Sequence, residues 1–170
     1  QEISGVESFF ISKNTANILL PDALQKTLAL YSLDTGEVIR TMKEKNAQHI
    51  TWLSDNTSFF YTAPATKSII FVSGEKTINV TATFPRSLPR TTSSLRYTIT
   101  NIYPHPFEKK LIIQTSKNGI YIFDPLTNQS VVLTNMNPLA MIVQGSSIVF
   151  LDSEGQLYSE HLITKNVNKL

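Results

Sequence analysis

Cysteine is absent from the chain, and that single gap excludes a disulfide framework, thiolate catalysis and Cys-ligated zinc. With no cysteine to report on it, the redox compartment stays open. Charge is sparse too: Asp, Glu, Lys and Arg make up 16% of the residues, against the roughly 25% usual in globular chains. The 15 basic and 13 acidic side chains leave a formal +2, too weak a field to draw a phosphate backbone or an anionic surface, so no nucleic acid is expected as a partner. No window approaches the ~18 consecutive apolar residues of a spanning helix, so no membrane insertion is expected within this segment. Missing as well are a G-x-S-x-G elbow, a P-loop and an HExxH pair. The chain opens QEISGVESFF, without Met and without a charged-then-apolar leader, and is expected to be a processed or excised piece of a longer protein.

What the chain does have is 41% hydrophobic residues over 170 positions, enough to bury a sizeable core. They come in short runs closed by turn formers: NILLPD, LALYSLDTG, HITWLSDN, SFFYTAP, SIIFVSG, KLIIQTSKNG, IYIFDPLTN, SVVLTN and SIVFLDSEG. β-branched and aromatic residues between Gly, Pro, Asn, Asp and Ser predict strands. In TINVTATF the alternation of Ile78, Val80, Ala82 and Phe84 with Thr77, Asn79, Thr81 and Thr83 predicts one half-buried strand. Ile69 to Val72 and Ile120 to Phe123 are apolar on both faces, which suits a sheet packed between sheets. Leu24, Leu28 and Tyr31 would also suit a short helix, but Asp22 to Lys26 is read as a hairpin loop.

The order of these pieces repeats. A Ser or Asx turn, an apolar strand, a second turn, another apolar strand and a third turn recur, with third turns at Asp34, Gly74, Asp124 and near Thr164, spaced about 40 to 50 residues apart. Four strands at that period make a blade. The unit resembles the blade of WD40-like β-propellers in the broad YVTN and TolB-like sense. The resemblance rests on the turns Ser12-Lys13-Asn14 and Ser54-Asp55-Asn56, and on the aspartate turns after Tyr31-Ser32-Leu33 and Ile122-Phe123. It covers essentially the whole chain, although the Gly-His and Trp-Asp signatures of true WD40 repeats are absent and the second and fourth units lack the aspartate turn. It implies an all-β, β-propeller-like array of about four four-stranded antiparallel blades, an incomplete propeller whose last blade is short by a strand or nearly so. The chain 1–170 is read as a single domain, with blades at about 5–44, 47–85, 98–135 and 138–170 and a connecting loop at 86–97.

Candidate sites are weighed one by one. Asp34-Thr35-Gly36 is the triplet of aspartic proteases, but that chemistry needs two carboxylates sharing a proton, and Glu37 stands where a small residue is usual. The triplet is read as a hairpin turn. His49, His105 and His161 have no ligand spacing, so no metal is expected. His105 lies in Tyr103-Pro104-His105-Pro106-Phe107, a rigid turn bearing aromatics. Asp152-Ser153-Glu154-Gly155 lacks the alternating oxygen ligands of a calcium loop and is read as a turn. Arg86, Arg90 and Arg96 punctuate an acid-free stretch read as a solvated connection between blades. Trp52 is read as core, and sequons occur at Asn56, Asn79 and Asn128. No SxDxGxTW box of sialidase-type propellers occurs.

No catalytic, cofactor-binding or metal-binding residue is therefore assigned, no cofactor is expected, and the binding residues are left open. The reading favours a non-enzymatic binding or scaffold module for an unidentified protein partner. The alternative is the gating propeller of a larger hydrolase, of the prolyl-oligopeptidase kind, whose catalytic domain lies elsewhere. LYSLDTGE-like turns without cysteine are similar to propeller segments of bacterial envelope proteins, including PEGA-containing ones, which implies an extracytoplasmic setting.

Overall fold

A computed structural model describes residues 9–22, 25–44, 47–63, 65–88, 98–117, 119–164 and 166–170. The chain divides into two compact units, Gln1–Ala82 and Thr83–Leu170. In the first, β1 (Phe10–Ile11), β2 (Asn17–Asp22), β3 (Thr27–Ser32) and β4 (Val38–Lys43) form one antiparallel meander. There, β5 (Gln48–Trp52), β6 (Phe59–Ala63), β7 (Ser68–Ser73) and β8 (Lys76–Asn79) form a second. The second unit repeats the plan with β9 (Ile99–Pro104), β10 (Leu111–Thr115), β11 (Ile120–Asp124) and β12 (Gln129–Thr134) in one sheet. Its other sheet holds β13 (Ala140–Gln144), β14 (Ser147–Leu151), β15 (Leu157–His161) and β16 (Val167–Lys169).

Register explains the cores. Phe10 faces Leu19, Leu19 faces Leu30 and Leu28 faces Met42, so these side chains share one face of the first sheet. That face meets Ile50, Trp52, Phe59, Tyr61 and Val72 of the second sheet in a single cluster. Trp52 is buried and lies edge-on to Phe59 at 5.3 Å, and its indole N–H donates to the Phe10 carbonyl at 3.3 Å. In the second unit Ile112, Ile120 and Leu133 pack against Met141, Ile148, Phe150 and Leu162. A fully buried side chain of this size contributes about 1.5–3 kcal/mol, so each of these sheet-on-sheet clusters is a large part of what holds its unit together.

Two expectations are corrected. TINVTATF is a strand only as far as Asn79; Val80–Ser87 is a helix, α1. Asn79 caps it, its side-chain oxygen accepting the Ala82 N–H at 3.0 Å. Strand alternation and helical i, i+4 spacing both put Val80 and Phe84 on one face, and both are fully buried. Ala82 separates the two readings: a strand would bury it with them, a helix turns it away, and it is exposed. Phe84 then lies edge-on to Tyr121 and Phe123 at 5.5 and 5.4 Å. The fourth sheet is not short of a strand, since β16 supplies its outer edge with three residues. Of the 22–26 hairpin loop, residues 23 and 24 lie outside the described residues, and Lys26 adopts φ +57°. Arg90 and Arg96 also lie outside the described residues.

Candidate functional site

Within each unit one end of the sheets gathers the turns that close the first pair and the last pair of strands, and one hairpin pattern recurs there. A residue at the strand end donates its N–H to the carbonyl of the residue five places on: Ser12 to Asn17, Ser32 to Glu37, Leu53 to Ser58, His105 to Lys110 and His161 to Asn166. At that strand-end position a side-chain acceptor takes up loop N–H groups. Ser32 Oγ accepts from Thr35 at 3.2 Å. Asp124 Oδ1 accepts from Leu126 and Thr127 at 2.9 and 3.3 Å. His105 Nδ1 accepts from Phe107 and Glu108 at 3.4 and 3.2 Å, and His161 Nδ1 from Ile163 and Thr164, both at 3.3 Å. Where the strand-end residue is Leu53, Asp55 inside the loop supplies the acceptor, to Thr57 and Ser58. Loop N–H groups that no ladder can satisfy are thereby paired.

This places the residues singled out in the sequence. Asp34 is exposed, and the bonds of its turn run through Ser32 and Thr35, with Gly36 at φ +70°. The residue equivalent to Asp124 is thus Ser32, two positions before the triplet. The fourth sheet does not lack the capped turn; His161 stands where Asp124 stands in the third. We expect Ser32→Ala to cost about 1 kcal/mol, the net worth of one such bond, and Asp34→Asn to leave stability unchanged, both read by denaturant midpoints at constant m-value. Asp152 caps the β14–β15 turn through Glu154 and Gln156 at 2.9 and 2.8 Å. The Gln156 N–H above all holds its carboxyl below the usual aspartate range, against the opposing pull of desolvation. His49 is exposed, with φ +50° at a register shift in β5. Among the described residues no group of three or more His, Asp or Glu is placed to hold a metal.

The turns are also tied to one another. In the first unit Asn56 Oδ1 accepts the Asn14 N–H at 3.2 Å and its carbonyl accepts from Asn17 Nδ2 at 3.0 Å, joining the β5–β6 turn to β1–β2. Ser58 Oγ donates to Ser73 Oγ at 2.8 Å, and the Arg40 guanidinium donates to the Gly74 carbonyl and to Thr77 Oγ1. In the second unit Leu162 N–H donates to the Ser146 carbonyl, as Leu33 does to Ala16 in the first. Of the sequons, Asn56 is held in this network and Asn79 caps α1, while Asn128 stands exposed at a turn with φ +54°. Tyr61, between the sheets of the first unit, is no proton donor near neutrality: burial first, then Glu44, pushes its phenol up to about 12.

The resulting surface is cross-linked by hydrogen bonds and chemically mixed. In the first unit it presents Lys13, Leu33, Asp34, Glu37, Thr57 and Glu75. In the second, Phe107 (55% exposed) and Ile163 (68%) stand on the two histidine-capped turns. Beneath Phe107, His105 is 2% exposed, and the Glu108 carboxylate pairs with Lys110. Exposed apolar side chains thus stand on loops held by side-chain caps. Sequence reading found the turns but missed the caps at Ser32, His105 and His161, because Ser, Asp and His share the role and only an acceptor at the strand end unites them.

No family model matches the sequence, and no curated protein matches it. Solved structures do match its fold. Dihydro-heme d1 dehydrogenase NirN in complex with DHE aligns with 96% of the chain at 7% identity and a TM-score of 0.58. An oligogalacturonate lyase in complex with manganese aligns with 99% at 14% identity and 0.62, and the N-terminal domain of Nup159 with 99% at 11% and 0.57. The chain spans 36%, 54% and 44% of those three chains, about half or less of each. They include both enzymes and non-enzymes. With its four antiparallel four-stranded sheets, the chain has a β-propeller-like repeat fold.

Proposed function

We propose that residues 1–170 act as one non-enzymatic binding module that engages a protein partner through its capped turns, in the setting of a bacterial envelope. The observation that carries the reading is the β9–β10 turn. Pro104 and Pro106 stiffen it, His105 and the Lys110 carbonyl hold it from within, and Phe107 is presented outward. An aromatic displayed at little entropic cost is the kind of anchor that dominates protein interfaces. Phe107→Ser removes the anchor and leaves the cap intact. In pull-downs from the source's extract, a protein retained by the wild-type chain is expected to be lost with Phe107→Ser. Equal retention by both chains would place the contact elsewhere.

A further inference from the structure

Two of the capped strand-end positions, Ser32 and Asp124, carry oxygen acceptors, whereas two, His105 and His161, carry an imidazole nitrogen. An imidazole can accept at Nδ1 only while that nitrogen is unprotonated, so the β9–β10 turn is built on the neutral form of His105. We propose that His105 is an acid-released latch: protonation of its ring withdraws the acceptor from Phe107 and Glu108 and frees the turn that displays Phe107.

The geometry supports the direction. The ring is 2% exposed, so a charge placed on it would be poorly hydrated. Both donors to Nδ1 are backbone N–H groups, and a protonated ring would point N–H at N–H. Phe107 lies edge-on to the imidazole, centroids 6.2 Å apart at 73°, so the displayed aromatic is coupled to the ring that titrates. The charged groups acting on His105 are Glu108, which favours its protonation, and Lys110, which opposes it; Asp124, at the end of β11, bears on Glu108. Burial outweighs Glu108 and moves the histidine below its ordinary value of 6.5. The sign follows: the folded turn binds the proton less readily than the unfolded chain. The cap's contribution is therefore complete above about pH 6.5 and is lost as pH falls from there through the lower folded value. A glutamate or aspartate in the same place would hold its bond well below that window.

The latch concerns the turn assigned above to partner contact, but its test needs no partner, so the two can fail separately. Amide exchange and 15N shifts would be followed on the wild-type chain from about pH 7.5 to about pH 5, together with His105→Asn, whose Oδ1 occupies the place of Nδ1 without titrating. In the wild type, protection of the Phe107 and Glu108 amides, corrected for intrinsic rates, is expected to fall roughly tenfold, the loss of about one net hydrogen bond. The Ile112 amide, in the buried strand β10, should keep its protection. In His105→Asn the Phe107 and Glu108 amides should show no such fall. Wild-type protection that is flat with pH, a fall shared equally by Ile112, or the same fall in His105→Asn would each overturn the latch.

Discussion

Gly119→Ala is expected to destabilise the second unit by about 3 kcal/mol or more, and Gly36→Ala the first by only about 1. Both glycines have φ in the left-handed region, +85° and +70°, which costs a side-chain-bearing residue about 1–2 kcal/mol. They differ in what surrounds them. A Cβ on Gly36 meets nothing within 4 Å. On Gly119 it would lie 2.0 Å from the Thr134 carbonyl oxygen and under 3 Å from two backbone atoms of Asn135. None of these is the end of a flexible side chain, so the β11–β12 pair would have to open where its register already shifts. Gly119 is also held on both sides: its N–H donates to Asn137 Oδ1 at 2.8 Å, and its carbonyl accepts from the Thr115 N–H and hydroxyl. Overpacking of this kind adds about 1–3 kcal/mol. Denaturant melts of the two variants against the wild type read the difference; equal losses would mean that the close approach at Gly119 is not there.

Phe84→Ala is expected to cost about 3–5 kcal/mol, the range for emptying a buried aromatic site. Its ring is fully buried between Tyr121 and Phe123. Thr83→Ala, at the preceding residue, should cost less than Phe84→Ala, because that side chain is smaller and only half-buried. Ala82 distinguishes helix from strand. If 80–84 continued β8, Ala82 would lie on the buried face, and Ala82→Lys would be as damaging as Phe84→Ala. With α1 in place Ala82 is exposed, and Ala82→Lys should be close to neutral.

That segment also shows where the sequence was legible and where it was not. Most strands of the four sheets were readable because they are short apolar runs with turn formers on both sides, and the repeat of about 40 to 50 residues grouped them in fours. Val80 and Phe84 are four apart, so periods of 2 and 3.6 agree on them, and only Ala82 and the capping Asn79 tell the two apart. β16 was under-read because Val167–Lys169 has one apolar residue in three; its place is set by pairing with Tyr158, Ser159 and Glu160 rather than by its own pattern. The candidate surface was half legible. Pro104-His105-Pro106-Phe107 announced a rigid aromatic turn. The use of His105 and His161 as caps was hidden, because a histidine's role as acceptor depends on which N–H groups the fold aims at Nδ1.

The most direct test of the four-sheet repeat is a nuclear Overhauser map on the assigned chain. The register predicts cross-strand contacts for Leu19 with Leu30, Phe60 with Phe71, Ile112 with Ile122 and Phe150 with Tyr158, one pair from each sheet. It also predicts helical i, i+3 contacts within Val80–Ser87. Absence of any one of the four pairs, or strand-type contacts running from Asn79 on to Phe84, would contradict the architecture on which the turn surface depends.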